Sequence, residues 1–248
     1  MNEPIKLLFK FPCRGRVDLF FKSLDSLNDN IRDRNNYHIS LTIDEDDKIL
    51  NSPEIIERIN EYPNTSIEWG ISKSKIDAVN RNFPLNYDWN VVIVWSNDMI
   101  CTFYGMDDVM RDYMHHAINK SGNKFLCHFP DNDAKEMLNV LYIASREYYE
   151  QFNYVYHPSY LSLWADNESM CVAKMLGMYH YFGVPNLYVH ENPAYSQYNI
   201  PRDELFNEQQ GYWAVDEANF HERKKINFEL KNEEIVNHLI SETFPYTS

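Results

Sequence analysis

The stretch "VVIVWSNDMI", residues 91–100, decides how the rest of the chain is read. Its aliphatic run is short and β-branched, closed by a tryptophan, and reads as a strand buried on both faces. The strand stops at Ser96-Asn97-Asp98. A polar turn that merely ends it is one explanation of the carboxylate. A site at the strand's carboxyl end, where open α/β sheets bind their ligands, is the other.

Working outward, the segments before this strand alternate in type. "IKLLFKF" (5–11), "YHISLTID" (37–44) and "TSIEW" (65–69) read as strands, and "WNVVIVW" (89–95) makes the fourth. Between them, Val17, Phe20, Phe21, Leu24 and Leu27 recur at helical spacing, and Pro53 opens a helix through Ile59. Ser72 is placed to cap a helix that runs to Arg81. Four strand–helix alternations predict a mostly parallel central sheet flanked by helices, an α/β layout of Rossmann type. Strand ends at Pro12, Asp44, Trp69 and Ser96 should then line one crevice.

Beyond residue 100 the spacing predicts a helix over 105–118, strands at 124–129 and 138–144, a helix from Ser145 to Phe152, a helix over 167–178 and a strand at 186–190. After Pro193 the chain reads as irregular until a helix at about 232–243. The expected division is a main domain over 1–192, with 193–248 an irregular to helical C-terminal extension packed on the same domain.

Composition narrows the function classes. A formal charge of −14 disfavours nonspecific binding to nucleic acid or anionic membrane. No run approaches the roughly 18 apolar residues of a membrane helix. The N-terminal "MNEPIKLLFKF" has no signal-peptide layout, and the four cysteines show no paired spacing, so a cytoplasmic, reduced protein is expected. There is no GxGxxG after the first strand and no GxxxxGK[ST], which removes the glycine cradles of dinucleotide and P-loop sites. An acidic protein that handles phosphate needs local cations. Arg14, Arg16, Lys75 and Arg81 are the candidates around the crevice, beside the carboxylates Asp44, Asp77 and Asp98.

The order of these segments resembles a family 2-type glycosyltransferase of the GT-A fold. "KIDAVNR" (75–81) is similar to that family's Lys-x-x-Ala-x-Asn-Arg segment, and "WADNESMCVAKMLG" (164–177) to its later acidic segment. The resemblance covers roughly residues 5–190. It implies transfer of a sugar from a nucleotide-diphosphate donor, first of all a UDP-sugar, to an acceptor hydroxyl, with Mn²⁺ or Mg²⁺ and inversion. Asp44 would accept from the base, with Pro12, Arg14, Ser96 and Asn97 around the donor. Asp77 and Asn80 would contact the donor, and Lys75 or Arg81 a phosphate. Asp98 and His190 would ligate the metal, Asp166 would deprotonate the acceptor, and Tyr160 and Trp164 would form an acceptor platform.

The chain departs from the family at Ser96, which stands where the first aspartate of Asp-x-Asp belongs. Literal Asp-x-Asp strings occur instead at Asp44-Glu45-Asp46 and at Asp131-Asn132-Asp133, and the second is a rival metal motif. Plainer roles stand beside these. Asp166 suits a helix N-cap, the charged face of 75–81 suits solvent, and Tyr160 and Trp164 suit a core. Two other functions stay open, a noncatalytic GT-A-like nucleotide-binding scaffold and a nucleotidyltransferase. The acceptor is open among a glycan, a protein, a small molecule and modified nucleic acid.

Overall fold

The computed structural model describes residues 4–84, 86–184 and 186–237. Strands β1 (Leu7–Cys13), β2 (Tyr37–Asp44) and β3 (Thr65–Gly70) form where the sequence places them, joined by helices α1 (Val17–Asn30) and α2 (Pro53–Asn60). Helix α3 (Lys75–Asn80) leads to β4 (Val91–Val94). The next elements are β5 (Met99–Cys101), α4 (Met106–Ser121), β6 (Leu126–His128), β7 (Ile143–Ser145) and α5 (Arg146–Phe152). The chain closes with α6 (Ala165–Met175), β8 (Tyr179–Tyr181), β9 (Tyr188–His190), α7 (Glu204–Gly211) and α8 (Trp213–Lys225).

The main sheet has the order β3-β2-β1-β4-β7-β6-β8, and β1 to β4 are mutually parallel. The antiparallel strand β7 pairs β4 and β6. From β1 the chain builds outward through β2 and β3, then returns to the other side of β1 with β4. The strand order therefore switches direction between β1 and β4, and such a switch opens a crevice at the strands' carboxyl ends. A separate ribbon pairs β5 with β9, with Met99 opposite His190.

Both faces of β1 are buried, as a central parallel strand requires. Leu7, Phe9 and Phe11 enter the layer formed with α1 and α4, while Leu8 enters the one formed with α3, α6 and α8. Lys10 shares the parity of Leu8 and is fully buried. Its ammonium donates to Asn82 O at 2.9 Å and to Thr42 Oγ1, and lies 5.4 Å from the Phe83 ring. Burial pushes its pKa down to about 7.

Several expectations are corrected. The α3 cap is Ser74, whose hydroxyl accepts from Asp77 N, so the helix begins later than Ser72 implies. The strand expected at 138–144 shrinks to β7, because residues 138–142 run as coil. Strands β5 and β8 are additions; at three residues each they are too short to show a period. The segment after Pro193 holds α7 and α8. The helix expected at 232–243 is, in its described part, a 3-10 turn at Asn232–Glu234 followed by extended Ile235; residues 238–243 lie outside the described residues.

Candidate active site

Two adjoining cavities of about 300 and 200 Å³ open at the carboxyl ends of β1 and β4, under α7. Pro12, Arg16, Lys75, Ser96, Asp98 and Ser162 line both. A larger open hollow of about 640 Å³ lies at the amino ends of the same strands, walled by Lys6, Asp88, Asn90 and His115. Parallel-sheet chemistry gathers at the carboxyl ends, so the paired cavities are the candidate site.

The turn that carries Asp98 is fixed from below. Ser23 on α1 accepts from Trp95 Nε1 at 2.9 Å and donates toward Ser96 O and Met99 O at 2.8 and 2.6 Å. Ser96 Oγ, where the family motif has a carboxylate, donates to Asp98 Oδ1. Asp98 Oδ2 lies 3.4 Å from His190 Nε2, and His190 Nδ1 lies 3.7 Å from Asp131 Oδ2. The two rival metal segments therefore meet at one imidazole. Asn132 Oδ1 accepts from His190 N at 2.8 Å, so the 131–133 turn also holds the histidine's backbone. Asp133 turns elsewhere, accepting from Gln197 and Tyr198, each at 2.7 Å.

The electrostatics follow from this sandwich. Burial pushes the His190 pKa down, but the charges and hydrogen bonds of Asp98 and Asp131 outweigh it and raise it to about 9. Burial pushes Asp98 up, while His190, Lys75 and the Ser96 hydroxyl hold it well below the usual carboxylate range. Asp131 is likewise lowered overall, against its burial, by His190 and backbone N–H groups. Among the described residues no group of three His, Cys, Asp or Glu side chains is arranged to hold a metal. Asp98 and His190 offer one oxygen and one nitrogen donor on the same wall. That pair fits a hard divalent ion which takes its remaining ligands from a diphosphate and water.

Asp166 lies in the first turn of α6 and lines the larger cavity. The N-cap position belongs to Trp164, whose φ of 62° is left-handed and which makes no side-chain cap bond, so the capping role expected of Asp166 does not arise. Asn167 donates to Asp166 Oδ1 from its backbone at 2.9 Å and its amide at 3.2 Å. Burial raises the Asp166 carboxyl above its ordinary range despite these bonds and the charge of Lys75. Trp164 also lines this cavity, in edge contact with Trp213. Three buried polar atoms on the segment, Ser162 Oγ, Trp164 Nε1 and Asn167 Oδ1, have no hydrogen-bond partner.

The smaller cavity has Asp44, Arg14 and Asn97 in its wall. Asp44 accepts from Arg14 at 2.7 Å, Arg81 at 2.7 Å, Ser72 N at 3.0 Å and Ser72 Oγ at 2.6 Å. Arg14 also bridges Asp46. Arg16, left-handed at φ 49°, grips Asp203 at the N-terminus of α7 through both Nε and Nη2, at 2.5 Å each.

Four predicted site residues lie outside the cavity walls. Asn80 spends its amide on Tyr156 O and on the backbone N–H groups of Val155 and Tyr156. Asp77 accepts from Lys73 N at 2.8 Å, completing the start of α3. Arg81 is bound to Asp44, Ser72 and two carbonyls. Tyr160 is buried with its hydroxyl on Glu168. Trp69 is absent from the crevice that strand ends were expected to share. Sequence reasoning missed Asp131 as the second carboxylate on His190. It also missed the α7 residues Phe206 and Gln209; the only signal for that helix is Asp203, which accepts from Phe206 N as an N-cap.

Neither the protein-family models nor the curated proteins contain a match to this chain. Solved structures do. The mannosyltransferase PcManGT from Pyrobaculum calidifontis, in complex with GDP-Man and Mn²⁺, aligns at a TM-score of 0.55 and 13% identity, over 75% of this chain and 56% of its own. The fold is GT-A. S. aureus TarS 1-349 aligns at 0.57 and 10% identity over 93% of this chain and 77% of its own, and its UDP complex aligns at 0.57 and 12%. This chain thus spans little more than half the length of the GT-A mannosyltransferase. At these identities the likeness establishes the fold alone. No helix among the described residues is long and apolar enough to cross a membrane.

Proposed function

We propose that this protein transfers a sugar from a nucleotide-diphosphate donor to an acceptor hydroxyl. One observation carries the reading: Asp98, His190, Lys75 and Asp166 converge on the wall of one cavity at the β1–β4 switch point of a GT-A fold. The nucleoside half lies along the smaller cavity, against Asp44, Arg14 and Asn97, and a UDP-sugar is the donor of first choice. The diphosphate lies where the two cavities join, facing Lys75 and Arg16. Asp98 and His190 would hold a Mn²⁺ or Mg²⁺ ion, which would supply further positive charge for the leaving diphosphate.

Asp166 takes the proton of the acceptor hydroxyl. The freed oxygen forms its bond to the anomeric carbon as the bond from that carbon to the phosphate oxygen breaks, and the nucleoside diphosphate leaves with the electron pair. One displacement of this kind inverts the anomeric centre. A carboxyl raised by burial suits a base working near neutral pH. The extension from residue 193 contributes to the acceptor side through Tyr195, Phe206 and Trp213.

UDP with Mn²⁺ is expected to raise the melting temperature, because a ligand that binds only the native state stabilises it. Absence of a shift with UDP or GDP, with or without Mn²⁺, would sink the donor assignment. A noncatalytic nucleotide-binding role is favoured by one feature, that a serine, Ser96, and not a second carboxylate stands beside Asp98. Stabilisation by UDP with no sugar transferred to any hydroxylated acceptor would select that role.

A further inference from the structure

Helix α8 is joined to the Asp166 segment by two buried ionic fastenings, one on each side of it. On the near side, Asp216 is fully buried and accepts from three successive backbone N–H groups, those of Leu161, Ser162 and Leu163, at 2.9, 2.8 and 2.8 Å. On the far side, Arg223 makes a two-pronged contact with Glu168 at 2.7 and 2.8 Å, and Tyr160 donates to the same carboxylate at 2.8 Å. Between these clamps stands Trp164, with its left-handed backbone and its ring packed against Phe220 and Trp213 of α8.

A core helix needs none of this. A buried pair such as Arg223–Glu168 can often be exchanged as a whole for apolar residues without loss of stability, whereas the partners of Asp216 are backbone N–H groups that an apolar residue would leave buried and unpaired. Three amides gathered on one carboxylate do something that packing cannot: they fix a loop's path. The path fixed is that of residues 161–164, which enters α6 two residues before Asp166. We infer that α8 is a splint for Asp166, and that Asp216 is the positioning residue through which it sets where that carboxylate stands. The inference rests on the transferase reading above.

Asp216→Asn keeps the side chain's shape but offers one acceptor oxygen and a repelling NH₂ to three donors. The expected result is a fall in kcat of about 10²-fold, the scale of a roughly 1 Å misplacement. The donor KM stays within about threefold, and UDP raises the melting temperature as in the unaltered protein. A purely structural role would instead lower the melting temperature and weaken donor binding while sparing kcat. Unchanged kcat in Asp216→Asn overturns the inference. If that variant does not fold, Arg223→Lys decides: it keeps the charge and gives up the fork. A loss of about tenfold in kcat supports the splint, and full kcat overturns it. Undiminished turnover in Asp166→Ala would instead remove the transferase reading and leave the geometry of α8 untouched.

Discussion

Two carboxylates end neighbouring parts of the same sheet, Asp44 on β2 and Asp98 after β4, and they are spent differently. Asp44 is saturated by protein: two guanidiniums, a hydroxyl and a backbone N–H close around it. Asp98 has a hydroxyl on one oxygen and an imidazole at 3.4 Å on the other, with Lys75 nearby and a cavity in front. A saturated buried charge acts first in stability, here by fixing the wall of the smaller cavity. A buried charge facing a cavity with few partners stands ready for a ligand. The same contrast separates Arg81, buried in its contacts, from Lys75, which lines both cavities.

The largest break in this comparison is expected at the open end. Asp98→Ala and Asp166→Ala should each lower transfer by on the order of 10²–10⁴, measured as initial rate at saturating donor. Asp166→Ala should leave the melting temperature nearly unchanged, since burial already disfavours its charged form. For the same reason the acidic limb of the rate profile should lie above the ordinary carboxylate range, with the rate falling as pH drops through it.

Asp44→Ala should behave in the opposite way. It leaves Arg81 charged, largely buried and without its carboxylate, a loss of about 3–5 kcal/mol by chemical denaturation. Stability within 1 kcal/mol of the unaltered protein would erase the distinction between the two ends.

Next comes His190, whose pKa is raised to about 9. Its ion pairs contribute stability fully below the unfolded value near pH 6.5, and that contribution is lost as pH rises to about 9. Lys10, lowered to about 7, contributes in the other direction over pH 7–10, so the difference between the unaltered protein and His190→Gln isolates the histidine. That difference should shrink by roughly 2–3 kcal/mol across the window. Stabilisation by Mn²⁺ should grow over the same range, because the ion must displace the proton.

The smallest effect is expected at Arg14→Ala. Its side chain is 46% exposed and its pairs with Asp44 and Asp46 are screened, so about 0–1 kcal/mol is at stake.

The parallel half of the sheet was legible because β1, β2 and β4 are apolar runs buried on both faces, and β1 to β3 are each followed by a helix with an apolar face. Helix α8 was not. Its buried residues are Asp216, Phe220 and Arg223, at helical spacing, but two of the three are charged. Hydrophobic periodicity passes over a helix that is held by buried ions. The site was half legible for a related reason. Residue types near strand ends name Asp98 and Lys75, the family resemblance adds Asp166, and the three share a cavity. Sequence cannot say which polar side chains are already consumed, and Asp77, Asn80 and Arg81 are consumed by capping, by a loop and by Asp44.

The β5–β9 ribbon carries a last consequence. Three residue pairs align it, with Met99 facing His190, Ile100 facing Val189 and Cys101 facing Tyr188. Because side chains alternate along a strand, deleting one residue from 99–101 would slide the partner by a step and turn the imidazole to the opposite side. The stretch between the two strands supports the alignment as well, since Asn132 Oδ1 accepts from His190 N. Chemistry at Asp98 is therefore sensitive to the length of a three-residue strand whose partner lies far along the chain.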